Sequence, residues 1–345
     1  MRPTSLIALA GAIALAGCAT PKGLPPVSVT AVAETVPVGT GVGEDAADDP
    51  AIWRNAANPA QSLIVATDKK AGLYVYGLDG KVRSFFDAGQ VNNVALVDMG
   101  AAGVIVVASD RNDLTQAKLP LFRLDTASAT LQPIGSLPGG AGEGYGVCAY
   151  RDGAQMRIAS VLKAGTIVEQ VIAFGPGGQV APVAATFPER KLLTQTEGCV
   201  YDPRDSTLYV GEEDVGIWRF APGASEGQLV APIDNKYLVA DVEGLALITE
   251  GATDGWLVAS SQGDNAFAVF ELPGMTYLGR FAVTAGTLGG AEETDGIELV
   301  SGDFGPAFPD GLFVAQDGWN EPNSQNFKLV SWAAIKAALA GSAGR

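Results

Sequence analysis

Glu197, Glu212, Glu213 and Glu243 stand in short acidic and glycine-containing clusters of a chain that has no histidine. Asp and Gly are common where strands begin and end, so turn chemistry explains any single Asp; glutamate has no such role. Carboxylates gathered at one place repel one another unless a cation compensates. With only oxygen donors on offer that cation is hard, and the number of carboxylates favours calcium over magnesium. Cations recur at matching places: Lys69-Lys70 directly follow Asp68, Arg111 directly follows Asp110, and Lys163 ends another apolar run. Any one of them reads as a solvated surface charge. Their repetition in register, beside a carboxylate-bound metal, is what phosphate recognition needs.

The missing histidine excludes Ser-His-Asp and Cys-His nucleophile pairs and His-ligated zinc or iron. A formal charge of -16, from 22 Lys+Arg against 38 Asp+Glu, would repel a polyanion over most of the surface, so no nucleic-acid partner is expected. At 47% hydrophobic and 17% charged, the chain is that of a packed protein rather than a disordered one. Its 345 residues allow two domains or one large all-β unit.

Six segments share acidic, amide or Gly residues followed by an apolar run, beginning at Asp48, Asn92, Gly144, Thr196, Asp241 and Thr294. That spacing is the period of a four-stranded propeller blade. Second strands follow (Leu63–Thr67, Val104–Ala108 and their counterparts), then third strands with period-2 alternation such as Leu73–Tyr76 and Phe267–Phe270. Fourth strands fit near Ser84–Phe86, Ile134–Leu137, Leu229–Ile233 and Leu278–Val283. After Val330 only a short Ala-rich helical tail remains, so Val27–Glu34 is expected to supply the sixth blade's outer strand. The fold class is therefore all-β, a six-bladed β-propeller of four antiparallel strands per blade whose ring is closed by an N-terminal strand. In an antiparallel pair one strand's start lies beside the next strand's end. Asp68, Asp110, Glu212-Glu213-Asp214, Gln262 and Asp317 should then collect with the inner-strand acids at one end of the channel.

Residues 1–17 read as a lipoprotein signal peptide: Arg2, an apolar run from Leu6 to Leu15, then Leu15-Ala16-Gly17-Cys18, a bacterial lipobox. Cys18 is the expected lipidation site, 18–26 a tether, and 27–345 a single propeller domain with a short C-terminal tail. Ala19 suggests sorting to an outer membrane or its periplasmic face, with the membrane touched only through the lipid. Cys148 and Cys199 enter a disulfide-permissive compartment on inner strands of neighbouring blades. Their separation is within bridging range, but the sequence leaves open whether their side chains face one another.

Several motifs together resemble the β-propeller phytases, the calcium-dependent alkaline phytase family of bacteria. They are Asp45-Ala46-Ala47-Asp48-Asp49-Pro50-Ala51-Ile52-Trp53, Lys69-Lys70-Ala71-Gly72-Leu73, Gln195-Thr196-Glu197-Gly198, Glu212-Glu213-Asp214, Asp241-Val242-Glu243-Gly244-Leu245, Ser260-Ser261-Gln262-Gly263, Thr294-Asp295-Gly296-Ile297 and Asn326-Phe327-Lys328. The similarity runs from about Val29 to about Trp332. It implies hydrolysis of phytate (inositol hexakisphosphate), alone or as calcium-phytate, by a monomeric 3-phytase. It implies calcium ligands at Asp49, Tyr145, Glu197, Glu213, Asp241, Glu243, Gln262 and Asp295, with Glu197, Glu213 and Glu243 catalytic. It implies phosphate contacts at Lys69, Lys70, Arg111 and Lys163. The mechanism expected is metal-assisted attack of water on a phosphomonoester, with several calcium ions bridging phosphate oxygens and a second phosphate resting on the cationic arc. A calcium-dependent propeller lactonase would use the same carboxylates but not the cations. A non-enzymatic surface propeller would need neither.

Overall fold

The computed structural model describes residues 22–39 and 41–342, so the expected signal peptide and Cys18 lie outside the described residues. Six sheets follow one another around the chain. Their inner strands are Ala47–Trp53, Val91–Asp98, Gly144–Asp152, Thr196–Asp202, Val242–Glu250 and Ile297–Ser301. Burial follows position within the blade. In Leu63–Asp68, a second strand, every residue is buried, because neighbouring blades cover both of its faces. The outermost strand of that blade, Val82–Asp87, is largely exposed. Apolar side chains fill six clusters; Val65, Val75, Val106 and Phe122, for example, join the first and second blades. The tail forms the helix Trp332–Ser342, which buries Trp332, Ile335 and Leu339 against the fifth and sixth blades.

The structure corrects the expected closing strand. Val27–Val29 instead runs parallel to Thr276–Val283 as a fifth strand of the fifth blade. Only Ala33–Glu34 pairs with Asn326–Ser331 of the sixth, antiparallel. The N-terminal segment thus covers an exposed sheet edge on one blade before reaching the next. The third blade also holds a strand that periodicity did not show, Thr166–Phe174. Glu169 breaks its apolar pattern, and it is buried beside the Arg190 guanidinium and the Tyr201 hydroxyl, which donates to it at 2.7 Å.

Cys148 and Cys199 form a disulfide between the inner strands of the third and fourth blades, with Cα atoms 5.7 Å apart and a sequence separation of 51. Closing such a loop restricts the unfolded chain by about 4 kcal/mol in the chain-entropy estimate. Reduction should therefore lower the melting temperature by about 6 °C. Calorimetry with and without reductant checks this, and two free thiols in the unreduced mass would refute the bridge.

Candidate active site

Five of the six inner strands shift register near their start: between Ala47 and Pro50, Val91 and Val94, Gly144 and Gly146, Thr196 and Cys199, and Val242 and Leu245. A bulge re-aims the side chains it contains. Those are Asp48-Asp49, Asn92-Asn93, Tyr145, Glu197-Gly198 and Glu243-Gly244. The glycines allow neighbouring blades to meet here. A Cβ on Gly198 would lie 2.1 Å from the Glu243 carbonyl oxygen, and one on Gly146 would lie 1.9 Å from that of Glu197. In the fourth, fifth and sixth blades, acid followed by glycine (Glu197-Gly198, Glu243-Gly244, Asp295-Gly296) is therefore a packing unit that delivers an acid to the channel mouth.

The outcome is a buried cluster of Glu197, Glu213 and Glu243, whose ligand oxygens all lie within 4.8 Å of one another. Glu213 Oε1 and Glu243 Oε2 are buried without a hydrogen-bond partner among the described residues. Glu197 Oε1 accepts a hydrogen bond from Asn92 Nδ2 at 2.8 Å, and the same amide reaches Asp48 Oδ2 at 2.9 Å. Burial, and then the charges of Asp48, Glu243 and Asp295, push Glu197 well above the ordinary carboxylate range. Glu243 rises likewise through burial and the charges of Glu213, Asp295 and Asp241. Glu213 is pushed up to about 7, mainly by burial, with Gln195 opposing. Asp48 is also pushed up to about 7 by burial, against the pull of Lys69. Orphaned buried carboxylate oxygens, with no imidazole or thiolate nearby, make a donor set suited to a hard cation.

On one flank of the cluster Lys69 Nζ lies 2.8 Å from Asp45, 3.1 Å from Asp48 and 2.8 Å from Asp295. Burial disfavours its charge, but Asp48, Asp295, Glu197 and Asp45 outweigh this and raise its affinity for the proton. Gln262 Nε2 donates to Asp295 Oδ1 at 2.6 Å. Lys69, Gln262 and Asp295 open into a cavity of about 700 Å³. On the other flank two cations lie near the Tyr145 ring, Arg111 at 5.5 Å and Lys163 at 4.8 Å from its centroid, within reach of cation–π attraction. Arg111 Nη1 also donates to Asn92 Oδ1 at 2.6 Å, and Gln195 Nε2 donates to the Tyr145 hydroxyl at 3.3 Å. Asp241 stands near Asp214 and Asp295, its carboxyl raised by burial and by those charges.

Other residues singled out from the sequence lie elsewhere. Asp49 turns down the channel, where its Oδ2 accepts the Val94 amide at 2.9 Å and it shares a small chamber with Glu298. Asp48 instead stands beside Lys69 and Asn92. Lys70 is half exposed and paired with Glu44 at 3.0 Å. Asp68, Asp110, Glu212 and Asp317 brace loops instead of joining the cluster: Asp68 accepts the Lys70 amide, Asp110 the Asn112 amide, and Asp317 pairs with buried Lys328. Glu212 accepts the amides of Leu193 and Thr194 and the Trp218 indole. Asp48, Asn92, Gln195 and Glu143, whose carboxylate pairs with the Arg111 guanidinium, were not assigned from the sequence. For Asn92 the signal was present, since it occupies the same repeat position as Asp48.

A family model described as Phytase matches residues 3–343. The 3-phytase of Bacillus subtilis (strain 168) is 36% identical over 325 residues, covering 89% of this chain and 84% of that protein. A chain in the crystal structure of the mitotic checkpoint complex superposes with a TM-score of 0.51 at 13% identity, over 95% of this chain and 86% of that one, a likeness of fold alone.

Proposed function

The chain belongs to the phytase family and releases phosphate from phytate; from that premise we propose that it does so with several calcium ions at the channel mouth. The observation that supports this most is the Glu197, Glu213 and Glu243 cluster with its two orphaned oxygens. Asp241, Asp295, Gln262, Tyr145 and Asp48 would complete the ligands. Bound there, calcium would neutralise charge developing on phosphate oxygens and lower the pKa of a nearby water.

The protein's own groups bind and orient the substrate. Lys163 and Arg111, held against Tyr145, present two cations on one flank, and Lys69 presents a third on the other. A phosphate on this arc aligns its neighbour on the same inositol ring with the carboxylate cluster, converting binding into positioning. Lys70 would serve only at the periphery. The chain would act as a monomer, exported with residues 1–17 removed and anchored through Cys18. The decisive experiment is phosphate release from phytate with calcium added or chelated: release should depend on added calcium, and full release in excess chelator would refute the proposal.

Lys163→Ala should separate the two roles. It removes a cation that one phosphate rests on while leaving the carboxylates in place, so it should raise KM for phytate about tenfold, the usual scale for one charge-assisted contact. A small monophosphate ester cannot span both flanks, and its hydrolysis should change little. Equal losses on the two substrates, measured by steady-state kinetics, would contradict the two-pocket arrangement.

A further inference from the structure

The N-terminal segment returns to the catalytic end of the propeller. Gly23 N donates to Asp264 Oδ2 at 2.8 Å and Leu24 N to the Lys236 carbonyl at 2.7 Å, while Arg280 Nη1 donates to the Leu24 carbonyl at 3.0 Å. Asp264 follows the fifth blade's second strand and Lys236 precedes its inner strand, so both lie at the end that carries Lys69 and Glu197. Lys22 itself lines the cavity that Lys69, Gln262 and Asp295 share. Lys22 lies four positions after Cys18, a reach of at most about 14 Å. A lipid on Cys18 would therefore hold the bilayer surface within that distance of the catalytic mouth.

A second observation is independent of the tether. Among the described residues, the four most exposed large apolar side chains are Leu193 (92%), Leu114 (57%), Val42 (56%) and Trp319 (51%). Val42 and Leu193 lie in loops that enter inner strands, and Leu114 and Trp319 in loops that leave second strands. All four therefore project from the catalytic end, spread around the ring. Such protruding apolar tips, with Trp and exposed lysines such as Lys22 and Lys70 among them, suit a membrane–water interface.

We propose that the catalytic face lies at a lipid bilayer, with Val42, Leu114, Leu193 and Trp319 entering the headgroup region. This inference rests on the reading of Cys18 as the lipid anchor.

The test uses the full-length exported protein in phosphatidylethanolamine–phosphatidylglycerol vesicles whose acyl chains are brominated near the headgroup. Mass spectrometry of the N-terminal peptide first reads the lipid on Cys18. Tryptophan emission should then be quenched, and the quenching should be lost in Trp319→Phe, an exposed position at which the fold is not at stake. A lipidated chain with equal quenching in both proteins overturns the membrane-facing orientation while the anchor stands. An unmodified Cys18 overturns the anchor reading and the orientation with it. If Trp319 emission instead shifts with protein concentration before vesicles are added, the tips meet a second copy of the chain and the proposal fails.

Discussion

Glu197→Gln is expected to reduce phytate turnover by about two to three orders of magnitude, even at saturating phytate and calcium. The substitution keeps the side chain's shape, so the contact with Asn92 Nδ2 has an oxygen to reach and the bulge at Glu197-Gly198 is undisturbed. It removes one negative charge from a cluster whose ligand oxygens lie within 4.8 Å of one another, where each charge is needed to hold a divalent cation. Monophosphate ester hydrolysis should fall as far, which distinguishes this change from Lys163→Ala. Near-normal turnover in Glu197→Gln would remove Glu197 from the machinery. A loss confined to KM would give it a binding role alone.

Removing calcium should abolish activity and lower the melting temperature, by an amount that depends on pH. A ligand at 100 times its dissociation constant stabilises the native state by about 2.7 kcal/mol per site, or roughly 4 °C for a domain of this size. The sign of the pH effect comes from the same carboxylates. Asp48 and Glu213 are pushed to about 7 in the folded metal-free protein, against ordinary values of 3.8 and 4.5. Between those limits these two groups bind more protons in the folded state than in the unfolded chain, so their contribution to metal-free stability is greatest below pH 4 and is lost as pH rises through 7. Calcium requires the ionised forms, so its binding strengthens over the same interval. The gap in melting temperature with and without calcium should be small near pH 5 and largest above pH 8. A gap that is constant with pH, measured by calorimetry in chelator and in millimolar calcium, would separate the cluster from calcium binding.

The fold was legible because propeller blades repeat. An acidic or glycine-containing start followed by an apolar inner strand recurs six times, and the structure begins its inner strands within three residues of each expected start. What escaped were places where a buried polar side chain or an edge pairing replaced the pattern. Thr166–Phe174 hid behind Glu169, whose burial makes sense only with Arg190 and Tyr201 beside it. Val27–Val29 looked like part of one closing strand because three apolar-alternating residues fit either of two sheet edges.

The types of group in the site, carboxylates without imidazole and cations recurring in register, were determined by the sequence alone, and with them the class of chemistry. Tertiary structure decided which member of each pair faces the carboxylate cluster. Side chains alternate between the faces of a strand, so a single bulge exchanges neighbours. The bulge between Ala47 and Pro50 directs Asp48 to Lys69 and Asn92 and sends Asp49 down the channel. Glu212 and Glu213 are adjacent in sequence, yet one braces the Leu193 loop and the other joins the cluster. The pairing of Cys148 with Cys199 is of the same kind, because it depends on how close two neighbouring blades approach, and glycines such as Gly146 and Gly198 set that distance only once the ring is closed.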